Sequence, residues 1–469
     1  MKINRDFAWA LAQRGGQLAL GYVFFFVLAR LLGPDDFGIL TLALVWLGFF
    51  RVIGDVGLSS ALVQRETVTS TQLSSVFFLN AALSVVLAVI GIFSAWLANP
   101  APDVTALPLV VSALSVTLIF SGLSVTQQSL AYRQMRFRFL ALRDFWATLA
   151  GGIIGISSAL LGLGVWALVI QALVTSMVSA AVLWRMPGWS PSFSEFSLKE
   201  LKPLLGFSVW ILAFQVFGYA VRKIDKLLIG TIAGVTVLGY YGLAIKLIFQ
   251  PAVHFSGALG DYLFPKMSSM QKSSADVRKI YLASVSLALA NVFPVLLSMG
   301  LFFHFYVTSL LGGQWINAVP ILPYVAISAA CQCLISPAGP VMKATNRPAW
   351  LLGWAILFTS LVVAGCLLGL RHGIAGGAAG IALAYFLGMV LVSLLMGRML
   401  RFGLDYLVLK LIIMAIGGVY ALIGYESVSM LPSGYEWVGA FLIGLFGLLY
   451  WRTIGLFKKV NFGHFLSQA

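Results

Sequence analysis

Residues Leu73–Ala98 read LSSVFFLNAALSVVLAVIGIFSAWLA, twenty-six residues without one Asp, Glu, Lys or Arg. An α-helix rising 1.5 Å per residue needs about 20 such residues to cross the ~30 Å hydrocarbon core of a bilayer. The apolar residues follow one another without the period-two alternation of a membrane β-barrel. The neighbouring stretches repeat this pattern along the chain. Of the 469 residues 60% are apolar and 10% charged, where a soluble domain carries roughly 25% charged residues. The chain is therefore read as an all-α integral membrane protein, with no soluble domain large enough for a separate enzyme.

Apolar runs set against charged or Gly/Pro-rich breaks predict about fourteen transmembrane helices. Two precede Leu73, at 7–32 and 37–63. After Ala98 come 104–131 and a pair meeting at Gly162-Leu163-Gly164. Next come 204–230, 235–260, 281–311, 316–342, 350–370, 374–399, 404–425 and 435–454. A polar stretch from Arg185 through Pro187, Pro191 and Glu195 to Lys202 divides the series. Residues 1–186 are read as an N-terminal lobe with helices 1–6, and 187–203 as a cytoplasmic linker. Residues 204–400 form a C-terminal lobe with helices 7–12, and 401–469 add two further helices and a short cytoplasmic tail.

The formal net charge of +15 could suit nucleic acid, but its placement in short loops points to membrane orientation. Arg133, Arg136, Arg138 and Arg143 fall on one side, with Arg185, Lys199, Lys202, Lys266, Lys272, Arg278 and Lys279. Lys343, Arg347, Arg398, Arg401, Arg452, Lys458 and Lys459 join them. The other side has Arg30 and Arg371 beside Asp35, Asp36, Asp103, Glu426 and Glu436. The basic side is cytoplasmic by this rule, both termini included. Arg14 interrupts the first apolar run and no small-residue cleavage site follows, so a cleavable leader is not expected. Cys331, Cys333 and Cys366 fall inside predicted spans and are read as small core residues; no metal site or other cofactor is expected. Trp96, Trp184, Trp315 and Trp437 near span ends are read as interfacial belt residues.

The two halves echo each other. Arg30-Leu-Leu-Gly33-Pro-Asp-Asp-Phe-Gly38 corresponds to Lys226-Leu-Leu-Ile-Gly230 followed by Val237-Leu-Gly239-Tyr240. Leu130-Ala-Tyr-Arg133-Gln-Met-Arg136-Phe corresponds to Val341-Met-Lys343-Ala-Thr-Asn-Arg347-Pro, and Gly162-Leu-Gly-Val-Trp to Gly373-Ile-Ala-Gly-Gly. Parallel repeats of this kind rock against each other around a midplane site.

Four segments carry a family resemblance: Ala29-Arg-Leu-Leu-Gly-Pro-Asp-Asp-Phe-Gly-Ile, Asp55-Val-Gly-Leu-Ser-Ser-Ala-Leu-Val-Gln64, Gly164-Val-Trp-Ala-Leu-Val and Asp225-Lys-Leu-Leu-Ile-Gly230. In order and spacing the chain resembles the polysaccharide transporters, the Wzx-type oligosaccharide flippases of the multidrug/oligosaccharidyl-lipid/polysaccharide exporter (MOP) superfamily. The resemblance implies a V-shaped transporter like the multidrug exporters of that superfamily, with two pseudo-symmetric lobes and two extra C-terminal helices. It implies flipping of undecaprenyl-pyrophosphate-linked oligosaccharide repeat units across the bacterial cytoplasmic membrane for O-antigen, capsule or exopolysaccharide assembly. The implied partners are that lipid-linked substrate, membrane lipids and other polysaccharide assembly proteins, not nucleic acid. The alternatives are a drug–cation antiporter of the same superfamily, which needs acids in its cleft, and a membrane polymerase or ligase, which needs a long external catalytic loop.

Charged residues inside spans are costly and mark cavities. Arg14, Arg51, Arg222, Lys223 and Lys246 are the candidate cations of a central pyrophosphate site, because charge-assisted hydrogen bonds to phosphate are strong. Arg30, Asp55, Asp225 and Lys226 are candidate outer-end or coupling residues. Arg51 with Asp55 and Arg222 with Asp225 are spaced to pair on one helix face. Arg14 has the structural alternative of snorkelling, and Arg30 and Lys226 that of interfacial anchoring. Protonation of Asp55 or Asp225 offers one route to coupling, and the sequence does not choose between H+ and Na+.

Overall fold

The computed structural model describes residues 5–54, 62, 68–98, 104–186, 188–197, 215–270, 273–288, 307–345 and 348–401. Asp55 and the two predicted spans beyond residue 401 lie outside these residues, as do Trp437 and the side chain of Arg14. Among the described residues all regular structure is helical. Helices α1 (Arg5–Leu31), α2 (Pro34–Gly54), α3 (Ser70–Ala98), α4 (Ala106–Arg133), α5 (Phe137–Leu160) and α6 (Val165–Trp184) come first. Helix α7 (215–228) ends in a π-turn at Ile229–Ala233. Helix α8 (Val235–Ala244) passes through a second π-turn, Ile245–Phe249, into α9 (Gln250–Ser269). Then follow α10 (Ser274–Leu287), α11 (Leu322–Ile335), α12 (Ala338–Ala344), α13 (Pro348–Leu370) and α14 (Gly373–Leu400). Nine helical stretches among the described residues are long and apolar enough to cross a membrane.

Helix α4 shows how hydroxyls are carried through so apolar a setting. Ser112, Ser115, Thr117, Ser124 and Ser129 each donate to a carbonyl three or four residues back, at 2.6–2.9 Å. These bonds stay within the helix, so the five hydroxyls are satisfied without a partner from outside it.

The chain forms two compact units, residues 1–239 and 240–469. In the first, α5 is the hub. Gly152 gives room to the ring of Phe24 on α1, while Gly151 and Gly155 let α6 approach through Thr175 and Gln171. The turn joining α5 to α6 needs φ of +77° at Gly162 and +55° at Gly164, values that disfavour side-chain-bearing residues. Trp46 Nε1 donates to Ser94 Oγ at 3.0 Å and ties α2 to α3. Residues 188–197, part of the predicted linker, are strapped to this unit. Glu195 accepts from the hydroxyls of Ser70 and Ser74, and the Ser197 amide donates to Ser75 Oγ at 2.8 Å. Trp189 and Phe196 pack on a buried apolar cluster that includes Leu73, Leu130, Leu140 and Leu183.

In the second unit α13 and α14 cross at backbone contact. A methyl on Gly365 would strike the Gly380 carbonyl, and one on Gly369 that of Gly376. Small residues at such crossings let membrane helices approach closely. Cys331, Cys333 and Cys366 are buried core residues, as expected.

Two expectations need correcting. Trp315 is not an interfacial belt residue: it is 0% exposed and meets Tyr240 edge to face at 6.1 Å. The span expected at 316–342 lies within Gly313–Ala344, a stretch long and apolar enough to cross a membrane, which starts as a 3-10 segment, Gly313–Ile321, and continues as α11 and α12. The 3-10 start folds into the core. Arg143 is not a loop cation either. It lies inside α5, 6% exposed, beside the 8%-exposed Asp144. Its Nε and Nη2 both donate to Asp144 Oδ1, at 2.9 and 2.6 Å. The partner acid is what allows a guanidinium at this depth.

Candidate functional site

The first unit encloses a cavity of about 900 Å³. Its walls are the C-terminal third of α2, the middle of α3, the C-terminal half of α4 and the start of α7. The packing that holds these walls is specific. Gly48 on α2 lacks a side chain, and the Tyr219 phenol of α7 lies against it. The Tyr219 hydroxyl donates to the Val45 carbonyl at 2.8 Å. On the opposite wall Gly122 of α4 lies against Ser84 of α3, whose hydroxyl donates to Ala81 O at 2.8 Å.

The mouth of the cavity is the α4–α5 turn. Arg136 N donates to Ala131 O at 2.9 Å and Met135 N to Tyr132 O at 3.0 Å, the paired bonds of a Schellman cap. Met135 takes φ of +54°, a place usually given to glycine. The cap brings Tyr132, Met135 and Phe137 to the cavity rim, with Tyr132 and Met135 exposed.

Arg51 is the one charged residue among the described lining residues. The other polar lining groups are amides and hydroxyls: Asn80, Ser84, Ser121, Gln128, Ser129, Tyr132, Gln215 and Tyr219. Asn80 is 4% exposed, yet its amide makes no hydrogen bond to any described residue; neither do those of Gln128 and Gln215. A search confined to charged residues misses these groups. The available signals were Asn80, the one amide in an otherwise apolar run, and the polar sequence Thr126-Gln127-Gln128-Ser129.

The other end of α2 is closed. A methyl on Gly38 would fall on the Val235 carbonyl, and one on Gly239 on the Pro34 carbonyl. Thr236 Oγ1 donates to Asp35 Oδ1. The contact is reciprocal: Pro34, Asp35 and Gly38 meet Val235, Thr236 and Gly239, and Gly38 and Gly239 belong to the segments in which the two sequence halves echo each other. Asp36 adds a brace by accepting from the backbone N–H groups of Gly33, at 3.1 Å, and Val165 at the start of α6. A carboxylate suits that helix N-terminus. Gly38 and Gly48 are ten residues apart on α2, about 15 Å, so the crossing and the cavity sit at separate levels.

Of the sequence-predicted cations whose side chains are described, Arg51 alone lines this cavity. Arg222, Lys223, Asp225 and Lys226 follow on α7, Arg222 exposed and the others half-buried. Arg222 Nη1 lies 3.1 Å from the Cβ position of Gly218, one turn back on its own helix. Arg30 is exposed at the end of α1. Lys246 is half-buried in the Ile245–Phe249 π-turn of the second unit. The backbone of Arg14 lies in α1.

Residues 27–320 match a family profile described as polysaccharide biosynthesis protein. The chain is 26% identical over 358 residues to the succinoglycan biosynthesis transport protein ExoT of Rhizobium meliloti, covering 76% of this chain and 72% of that protein. It is 23% identical over 384 residues to the lipopolysaccharide biosynthesis protein WzxC of Escherichia coli, covering 81% and 76% respectively. Among solved structures it resembles the lipid II flippase MurJ in an inward closed conformation, with TM-score 0.75 and 13% identity over 96% of this chain and 99% of that one. A multidrug resistance MATE family transporter of the MOP superfamily, inward-facing, aligns with TM-score 0.63 and 14% identity over 83% of this chain and 97% of its own. The profile spans more than half of the chain and the fold likeness nearly all of it, so this multi-pass membrane protein, built on the MOP transporter fold, belongs to the polysaccharide biosynthesis protein family.

Proposed function

We propose that the protein is a flippase, not an enzyme, that carries an undecaprenyl-pyrophosphate-linked oligosaccharide from the inner to the outer leaflet of the bacterial cytoplasmic membrane. The observation that carries this reading is a polar cavity at one end of α2 and a closed glycine crossing at the other. Under the positive-inside rule Arg136 and Arg138, in and just after the α4–α5 turn, face the cytoplasm, and so do both termini. In this reading the crossing lies toward the outer leaflet and the cavity mouth toward the leaflet where the substrate is made. Switching requires a state in which the crossing opens, as alternating access demands.

Charge favours this substrate over that of a drug–cation exporter. The described lining holds Arg51 and neither Asp nor Glu. An arginine suits a diphosphate, which it can grip through two parallel hydrogen bonds. Among the described lining residues a cation would find no counter-charge. Relatives named for succinoglycan and lipopolysaccharide biosynthesis support a glycan cargo. Deletion of the gene tests the reading. Lipid-linked saccharide should build up on the cytoplasmic face while surface polysaccharide is lost. Unchanged surface polysaccharide without accumulation would refute it.

A further inference from the structure

We propose that the cavity between α2, α3, α4 and α7 is the subsite for the uncharged, hydroxyl-rich saccharide of the transported lipid, gripped by the amides of Asn80, Gln128 and Gln215. The inference rests on the flippase reading and goes beyond it by separating the sugar from the diphosphate.

Three observations converge. The first is the chemistry of the lining. A sugar hydroxyl both donates and accepts, and a side-chain amide offers two donors and an acceptor with two lone pairs. The three amides make no hydrogen bond to described residues and line the cavity, so their donors and acceptors are available to a ligand there. Asn80 is only 4% exposed, which places its amide on the cavity wall and not on the outer surface. A saccharide entering the cavity would satisfy all three.

The second observation is size and shape. About 900 Å³ falls toward the upper end of the ~300–1,000 Å³ of ordinary ligand pockets. That is more room than a diphosphate fills and enough for more than one hexose. Tyr132 and Phe137 at the rim and Tyr219 deeper in offer flat faces for the apolar C–H faces of sugar rings.

The third is the distribution of charge. Arg51 is the one cation on the described wall. A site built around two negative charges needs more than one cation once water is stripped away. The amide wall suits the neutral part of the substrate, with the diphosphate held toward Arg51.

The test uses the purified full-length protein with Ser121→Cys as a reporter on the cavity wall. Cys331, Cys333 and Cys366 are buried, so the unsubstituted protein gives a low labelling background. Two probes are compared: the lipid-linked saccharide extracted from cells deleted for this gene, and polyprenyl diphosphate without sugar. The saccharide-bearing lipid should protect the introduced thiol from a maleimide, and the sugar-free lipid should not. Asn80→Ala or Gln128→Ala should raise the concentration needed for protection about five-fold each, the effect of losing one hydrogen bond. Equal protection by both lipids would assign the cavity to the diphosphate and overturn the proposal. Protection by neither, in a protein that still restores surface polysaccharide to deleted cells, would overturn the subsite and leave the flippase reading standing. Failure of the S121C protein and of the unsubstituted protein alike to restore polysaccharide would count against both.

Discussion

Replacing Gly38 or Gly239 by alanine cuts transport by one to two orders of magnitude while the protein still inserts. The reason is geometric. At each position a methyl group would land on a carbonyl of the other helix, at Val235 or Pro34. Both atoms belong to backbone and cannot swing away. Overpacking of this kind costs about 1–3 kcal/mol. On the proposed alternating-access cycle the cost falls on the state with this crossing closed, because its counterpart would part these helices. A penalty of that size lowers the population of one state about 5- to 150-fold. Leucine at either site should abolish transport. The measurement is complementation of a deletion strain by each variant, with membrane abundance followed in parallel. Full complementation by Gly239→Leu at normal abundance would show that this crossing is not part of the cycle. Abundance that falls with activity would make the contact a folding requirement instead.

Asp144→Leu strips Arg143 of its charge partner at a site where both side chains are at most 10% exposed. Removing one member of a buried ion pair costs about 3–5 kcal/mol. The Nη1 of Arg143 already makes no hydrogen bond to the described residues, so little remains to hold the stranded charge. Folded protein recovered from the membrane should fall sharply, and thermal unfolding in detergent should move to lower temperature. Arg143→Met together with Asp144→Leu should recover most of the loss, because an apolar pair of similar volume needs no desolvation of charge. A single Asp144→Leu variant as stable as the unsubstituted protein would contradict the assignment. A stable double variant that no longer transports would give the pair a role beyond folding.

Much of the fold was legible because hydropathy in a membrane protein reports directly on spans. The run 73–98 became α3, and the glycine turn at 162–164 became the α5–α6 hairpin. The echoed motifs were legible as repeats, but not as a contact. That Gly38 and Gly239 meet each other's helices depends on where the repeats dock, which periodicity does not report. Arg143 reads as a loop cation because it follows Arg133, Arg136 and Arg138 and shares their sign; its place inside α5 depends on the adjacent Asp144. Trp315 was misjudged because a tryptophan at a span end usually sits at an interface, and the 3-10 start that buries it has no strong local signal. The cavity was the least legible feature. Three helices, α3, α4 and α7, supply its amides, and each amide alone looks like an isolated polar residue in a helix.

Transport across a bilayer by the purified protein tests the central claim most directly. The full-length protein is reconstituted into vesicles carrying the lipid-linked saccharide, and arrival of saccharide in the opposite leaflet is followed with a glycan-modifying reagent that cannot cross the membrane. The account predicts transfer well above that of protein-free vesicles, abolished by Gly239→Leu and sharply reduced by Arg51→Gln at equal protein content. Transfer no faster than in protein-free vesicles, from protein shown to be folded and inserted, would contradict it.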